Sequence, residues 1–281
     1  MLLLSLSFPS CHYSRQFPIP SRPASPRFSA SRVSSVCQRI GRLTVFASPS
    51  EGLNPEKKRK VIDHVCLLKA KKELSDDDEK NMLDYLYTTQ YQMPGILTVS
   101  VGRISNNTEG SYTHGVFMRF QKKEDVSKFY ENPFYLEVLQ KHVSPYCHES
   151  MNVDYETEVE DDILSIFRKG EEFNYGVEFV HLFEFEETSL GGAAEDALTS
   201  LENLAQEFPS LIVQFTRGSN FNLSSKEYTH GVVIRFRSLE AFNMFVGSTD
   251  YRDVWGSKFS LITKKSLPIY YTVDPVGNQL M

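Results

Sequence analysis

The chain has 281 residues, 41% hydrophobic and 23% charged, an ordinary globular composition with room for one large domain or two of about 100–150 residues. No run approaches the roughly 18 apolar residues that a membrane-spanning helix needs, and four cysteines are too few for a disulfide scaffold. A formal charge of −6 argues against a generic nucleic-acid binder, whose phosphate contacts come from Lys and Arg.

From Met1 to Ser50 there is no Asp, Glu or Lys, while Arg15, Arg22, Arg27, Arg32, Arg39 and Arg42 sit among many serines and prolines. Arg- and Ser-rich, acid-poor composition is that of an organelle transit peptide. The apolar run Leu2 to Phe8 is short and has no basic residue ahead of it, which disfavours a secretory signal. Serine and proline favour a plastid (chloroplast stroma) over a mitochondrion, and Val45-Phe46-Ala47 suits processing before Ser48. Removal of residues 1–47 leaves 24 basic residues against 36 acids, a formal charge of −12, and also removes Cys11 and Cys37. So acidic a protein is an unpromising partner for nucleic acid or an anionic membrane. The sequons at Asn106 and Asn222 matter only for a secreted chain.

Val61 to Lys69 reads as a strand, rich in β-branched and aliphatic residues. A helix follows: Ser75 with Asp78 resembles a capping box, and Met82, Leu83, Leu86 and Tyr87 share a face. Pro94-Gly95 ends it, and Ile96 to Val101 is a second strand. After a polar loop, Tyr112-Thr113-His114-Gly115-Val116 opens a third strand that runs to Phe120. A helical region carries Val126, Phe129 and Tyr130, and a last strand lies near Ser150–Tyr155. Glu156 to Phe173 reads as an acidic linker in which Ile163, Leu164, Ile166 and Phe167 suggest one helical turn.

The order then repeats. Tyr228-Thr229-His230-Gly231-Val232 and Arg235-Phe236 match Tyr112 to Phe120 at seven of nine positions, with an offset of 116. The offset is 115 upstream, where Val65 pairs with Val180 and Pro94 with Pro209, and a length difference in the second strand is expected to absorb the change. The second copy has strands at Val177–Phe185 and Leu211–Thr216 and a helix with the stripe Ala194, Ala197, Leu198, Leu201, Leu204, Ala205 and Phe208. The Tyr-Thr-His strand, a helix with Phe242, Phe245 and Val246, and a strand at Ile269–Val273 complete it. This βαββαβ order predicts an α+β protein of two ferredoxin-like repeats. Each sheet has helices on one face, so the two bare faces should close on each other as an intramolecular pseudo-dimeric barrel.

His64-Val-x-Leu-Leu-Lys69, the Pro-Gly turn, Tyr-Thr-His in both copies and Phe129-Tyr-x-Asn-Pro133 resemble the plant stress-responsive dimeric α+β barrel family. The resemblance covers residues 58–157 and 174–276, leaves 158–173 as the linker, and suits a tandem-repeat, chloroplast-targeted member. It implies stress response or plant defence, antifungal activity in some members, a small apolar ligand, and a polyketide cyclase in one branch. Single-domain relatives are homodimers, so two copies imply a monomer with an internal pseudo-dimer, with further dimerisation left open. In the cyclase branch the base is a histidine helped by a tyrosine. Those positions are Tyr135 and Phe129 here, and Tyr251 and Phe245 in the second copy. A phenol is a poor base near neutrality and phenylalanine moves no proton, so an enzyme of that type is disfavoured.

The remaining candidates are pocket residues by resemblance: His64, Tyr112, His114, Tyr135, His181, Tyr228, His230 and Tyr251. His114 and His230 are the catalytic candidates of a cyclase- or lyase-type alternative. The plainer reading of each is a strand-start histidine bonded to a neighbouring loop or carboxylate. His181 takes the register of Cys66, not of His64, so the first strands carry no symmetric histidine pair. Cys147-His148 has no second pair at zinc spacing, and Cys66 reads as a buried thiol. The resemblance also implies Mg2+ on backbone carbonyls of Gln90, Met93 and Ile96, and of Ala205, Phe208 and Leu211. An RNA-recognition module shares the element order but needs a basic-aromatic strand that is missing here. Nothing in the histidine spacing favours heme over packing.

Overall fold

A computed structural model describes residues 58–106, 111–160 and 176–273. The expectations for residues 1–47, and for a helical turn at Ile163 to Phe167, lie outside the described residues. The first repeat is β1 (Lys58–Ala70), α1 (Asp76–Gln92), β2 (Ile96–Arg103), β3 (His114–Phe120), α2 (Lys123–Glu131), α3 (Pro133–Val138) and β4 (Cys147–Glu160). The second is β5 (Val177–Phe185), α4 (Gly192–Gln206), β6 (Ile212–Ser219), β7 (His230–Phe236), α5 (Leu239–Val246), α6 (Thr249–Val254) and β8 (Thr263–Thr272). Both sheets are antiparallel, in the orders β2-β3-β1-β4 and β6-β7-β5-β8. A π-helical turn follows α3 at Leu139–Val143 and α6 at Trp255–Phe259, the same place in each repeat.

The local signals act where their chemistry places them. Ser75 Oγ accepts the Asp78 N–H at 3.1 Å, satisfying an orphan donor of the first turn of α1. Gly95, at φ 102°, takes the left-handed turn out of that helix. Two expectations shift. The bulges Ile96/Thr98 and Ile212/Gln214 occupy the same place in β2 and β6, so the extra residue falls in the turn before β6, not in the strand. The last strands are longer than expected, and β4 runs to Glu160. Glu156, Glu158 and Glu160 therefore pair with Ile62, Lys60 and Lys58 as strand residues and not as linker.

Alternation along each strand divides the apolar residues among three cores. Ile62, Cys66, Leu68, Val116, Met118 and Phe120 face α1, α2 and α3. Phe179, Phe183, Val232, Ile234 and Phe236 face the helices of the second repeat. The opposite sheet faces meet in a third core built from Val65, Leu67, Phe117, Val153, Tyr155, Val180, Leu182, Val233, Ile269 and Tyr271. The expected internal barrel is this sheet-on-sheet packing.

The repeated glycines are its seats. The Tyr271 ring lies against Gly102 and Gly115, where a Cβ on either would come within 2.6 Å of ring carbons. Tyr155 lies reciprocally on Gly218 and Gly231. Within this interface Arg119 Nε and Nη2 bond Asp63 at 2.6 and 2.8 Å, and Arg119 Nη1 donates across to Gln214 at 2.6 Å. Glu178 pairs with Arg235 and accepts Ser100 Oγ from the other repeat at 3.0 Å. Each buried ion pair is thus held by a side chain of the opposite repeat, so breaking one partner would strand a buried charge.

Candidate functional site

His64 and Asp154 are Cα partners on β1 and β4. Directly opposed residues of an antiparallel pair share a face, and here their side chains meet on the helix side, His64 Nδ1–H donating to Asp154 Oδ1 at 2.6 Å. Tyr130, from α2, donates its hydroxyl to Asp154 Oδ2 at 3.0 Å and lies 3.2 Å from His64 Nδ1. The fourth member comes from the other repeat: Asn222 Nδ2 donates to Asp154 Oδ2 at 2.7 Å and to Tyr130 Oη at 2.9 Å. The loop after β6 holds Asn222 there. Phe221 N–H bonds the Asp154 carbonyl at 2.9 Å, and Asn220 Oδ1 accepts the Asp154 N–H at 3.1 Å. The side-chain amide of this sequon is committed on both bonds.

His64 is 0% and Asp154 2% exposed. Burial opposes the charge on Asp154, but the facing imidazole, the Tyr130 hydroxyl and the Asn222 amide outweigh it and hold the carboxyl below its ordinary range. Burial, reinforced by that carboxylate, pushes the Tyr130 phenol far up. Above the cluster opens a cleft of about 690 Å³ between α2 and the loop, walled by Val126, Phe221 and Leu223, with Tyr130, Asp154 and Asn222 at its floor. Lys123 stands at its rim, its ammonium 4.2 Å from the Phe221 ring centroid. Among the described residues the His64–Asp154 pair has no counterpart in the second repeat: Phe179 and Tyr270 are the corresponding Cα partners, and both pack on Phe242. The cluster breaks the pseudo-symmetry of the chain.

The other residues singled out from the sequence do not converge on this cleft. His114 uses both ring nitrogens, Nε2 on Glu79 at 2.6 Å and Nδ1 on the Thr113 hydroxyl at 2.8 Å. His230 does the same with Ser219 and Thr229, each at 3.0 Å. Burial lowers the pKa of both histidines. Tyr135 packs on Phe129 in the first helix-facing core, and Tyr251 on Phe245 in the second. His181 is sealed in that second core between Phe183 and Trp255. Tyr112 and Tyr228 border the sheet-on-sheet core instead. Among the sequence candidates, His64 alone joins the cluster. Asp154 carried a weak signal as an acid on the helix-facing side of the last strand. Asn222 carried none, because its partners belong to the other repeat.

The backbone carbonyls that resemblance assigns to Mg2+ lie at the turn between helix and strand in each repeat. The carbonyls of Ala205, Phe208 and Leu211 already accept the backbone N–H groups of Phe208, Leu211 and Arg237 at 3.2, 3.0 and 3.1 Å. In the first repeat Gly95, not Ile96, holds the place of Leu211, its carbonyl accepting Gln121 N–H at 2.8 Å. These carbonyls close the turn between helix and strand. Among the described residues no three His, Cys, Asp or Glu side chains gather to complete a hard-cation cage.

A family model described as the stress responsive A/B barrel domain matches residues 62–157 and again residues 177–267. A stress-response A/B barrel domain-containing protein of Arabidopsis thaliana is 26% identical over 182 residues, 64% of this chain and 66% of that protein. The match thus spans just under two thirds of the relative. Among solved structures, an anthrone oxidase-like protein aligns at a TM-score of 0.56 with 8% identity, covering 77% of this chain and 92% of that one. A Fusobacterium nucleatum protein named provisionally as a monooxygenase aligns at 0.55 with 10% identity, covering 76% and 93%. At such identities the two structures share the fold with this chain, and their names carry no further.

Proposed function

The chain belongs to the stress responsive A/B barrel family, and on that premise we propose that it is a non-enzymatic stress-response protein that binds a small, largely apolar ligand in the cleft between α2 and the loop after β6. The observation that carries this reading is the asymmetric cleft itself. Its walls are Val126, Phe221 and Leu223, and Leu223 is 85% exposed at the lip. An apolar wall over a few convergent polar groups is the usual make-up of a small-molecule site. The cyclase- or lyase-type alternative draws less support, since both nitrogens of His114 and of His230 are already bonded.

Titration of the full chain with the fluorescent apolar anion anilinonaphthalene sulfonate tests the cleft. Leu223→Asp should weaken binding about tenfold or more, since full burial of a leucine is worth about 1.5–3 kcal/mol. Unchanged binding in that variant would remove the cleft from consideration. For the compartment we propose the plastid stroma, on the Arg- and Ser-rich, acid-free composition of residues 1–47. A fluorescent fusion of residues 1–60 that stays in the cytosol would refute it. A role in plant defence is carried over from family resemblance.

A further inference from the structure

One stripe of α2 lines the cleft. Lys123, Val126, Ser127 and Tyr130 stand at helical spacing i, i+3, i+4 and i+7, so they share a face that runs from the rim to the floor. Phe221, Leu223 and Ser224 of the loop after β6 stand opposite. The polar groups deep in the cleft are already spent on one another. Asp154 accepts bonds from His64, Tyr130 and Asn222. Asn222 Oδ1 in turn accepts the Ser224 N–H and hydroxyl at 2.9 and 2.6 Å.

Two lining groups stay uncommitted among the described residues. The Lys123 ammonium meets the Phe221 ring but no carboxylate, and the Ser127 hydroxyl has no bonding partner. Both can donate, and an ammonium can only donate. The cleft therefore has a direction. At its floor lies a carboxylate that repels a second anion, and at its rim stands a free cation. Asp154 is 2% exposed with both oxygens bonded, so it offers an incoming cation no lone pair, while Lys123 repels one. In the second repeat Leu239 begins the matching helix. Phe242 and Tyr270 pack there at 4.4 Å, in the places of Val126 and Asp154.

We propose that the cleft takes a single-chain amphipathic carboxylate. Its apolar chain lies between Val126, Phe221 and Leu223, and its carboxylate is held at the rim by the Lys123 ammonium and the Ser127 hydroxyl. The apolar walls supply most of the affinity, and the half-wet ion pair sets the orientation and the choice of head group. This inference rests on the reading of the cleft as a ligand site, and it specifies the class of what enters.

Decanoate and decanol, which differ in the charge of the head group, are titrated into the full chain by calorimetry near neutral pH. Lys123→Gln should weaken decanoate about fivefold, the upper end for a partly exposed ion pair. The same variant should leave decanol unchanged, which separates the charge from the packing of the lysine stem on Phe221. Lys123→Glu should weaken decanoate further, and Leu223→Asp should weaken both compounds, tying them to the cleft. Decanoate binding that survives Lys123→Gln, or an equal loss of decanoate and decanol in that variant, would overturn the proposal. If decanoate fails to bind while decanol or anilinonaphthalene sulfonate binds and is weakened by Leu223→Asp, the head-group assignment is wrong and the cleft stands. If no compound responds to Leu223→Asp, the cleft itself is wrong.

Discussion

His181 offers a sharp test of how the second repeat is held together. It is 2% exposed, stacked between Phe183 and Trp255 at centroid distances of 4.1 and 5.0 Å, and neither ring nitrogen has a partner among the described residues. Burial alone pushes its pKa down to about 3 from an ordinary 6.5. Because the folded value is depressed, the unfolded chain binds the extra proton first. The folded state keeps its full stability above the unfolded pKa and loses it as pH falls from 6.5 towards 3. At about 1.4 kcal/mol per unit, the loss is about 2 kcal/mol by pH 5 and approaches about 5 kcal/mol near pH 3. For a chain of this size, 2 kcal/mol is about 4–8 °C in Tm. Thermal melts at pH 7 and pH 5 of wild type and His181→Leu make the measurement. His114 and His230 contribute with the same sign in both proteins and cancel in the comparison. The variant should be at least as stable at pH 7, since it removes two unpaired nitrogens, and should lose about 2 kcal/mol less on acidification. Parallel losses in the two proteins would refute the dry, unpaired imidazole.

Gly115→Ala should cost about 1–3 kcal/mol, read as a drop in denaturant midpoint, because the new methyl meets the buried Tyr271 ring. Gly192→Ala, with nothing within 4 Å of the added carbon, should be neutral or stabilising in the same assay, by up to about 1 kcal/mol. Asp63→Asn leaves the buried Arg119 guanidinium without its counter-charge and should cost about 3–5 kcal/mol, detected by chemical denaturation. Ser75→Ala should lower stability by only about 1 kcal/mol, the value of an exposed N-cap, with the far-ultraviolet dichroism of the native state unchanged.

Much of the fold was legible because its signals are local. The Ser75 cap, the Pro94-Gly95 stop and the alternation of His114, Val116, Met118 and Phe120 each depend on residues a few positions apart. Internal repetition did the rest, since one copy corroborates the other. The candidate site was legible only at His64. His64 and Asp154 are 90 residues apart and Asn222 and Tyr130 92, and no local period connects them. One position of the implied metal set shifts for a related reason: an offset counted along the chain matched Ile96 to Leu211, whereas the turn geometry matches Gly95 to Leu211.

By itself the amino-acid sequence determined that two βαββαβ units exist, where their strands and helices lie, and that each sheet has a face to bury. Backbone propensity, capping and apolar periodicity settle these within each unit. Tertiary structure decided what the repeated motif is for and where the chain is asymmetric. Gly115 and Gly231 are seats for the tyrosine of the opposite repeat, a role that arises only when two sheet faces approach within ring contact. Asn222 reaches the Asp154 carboxylate for the same reason: docking sets which loop crosses the seam, and a pseudo-symmetric interface leaves each seam free to carry different side chains.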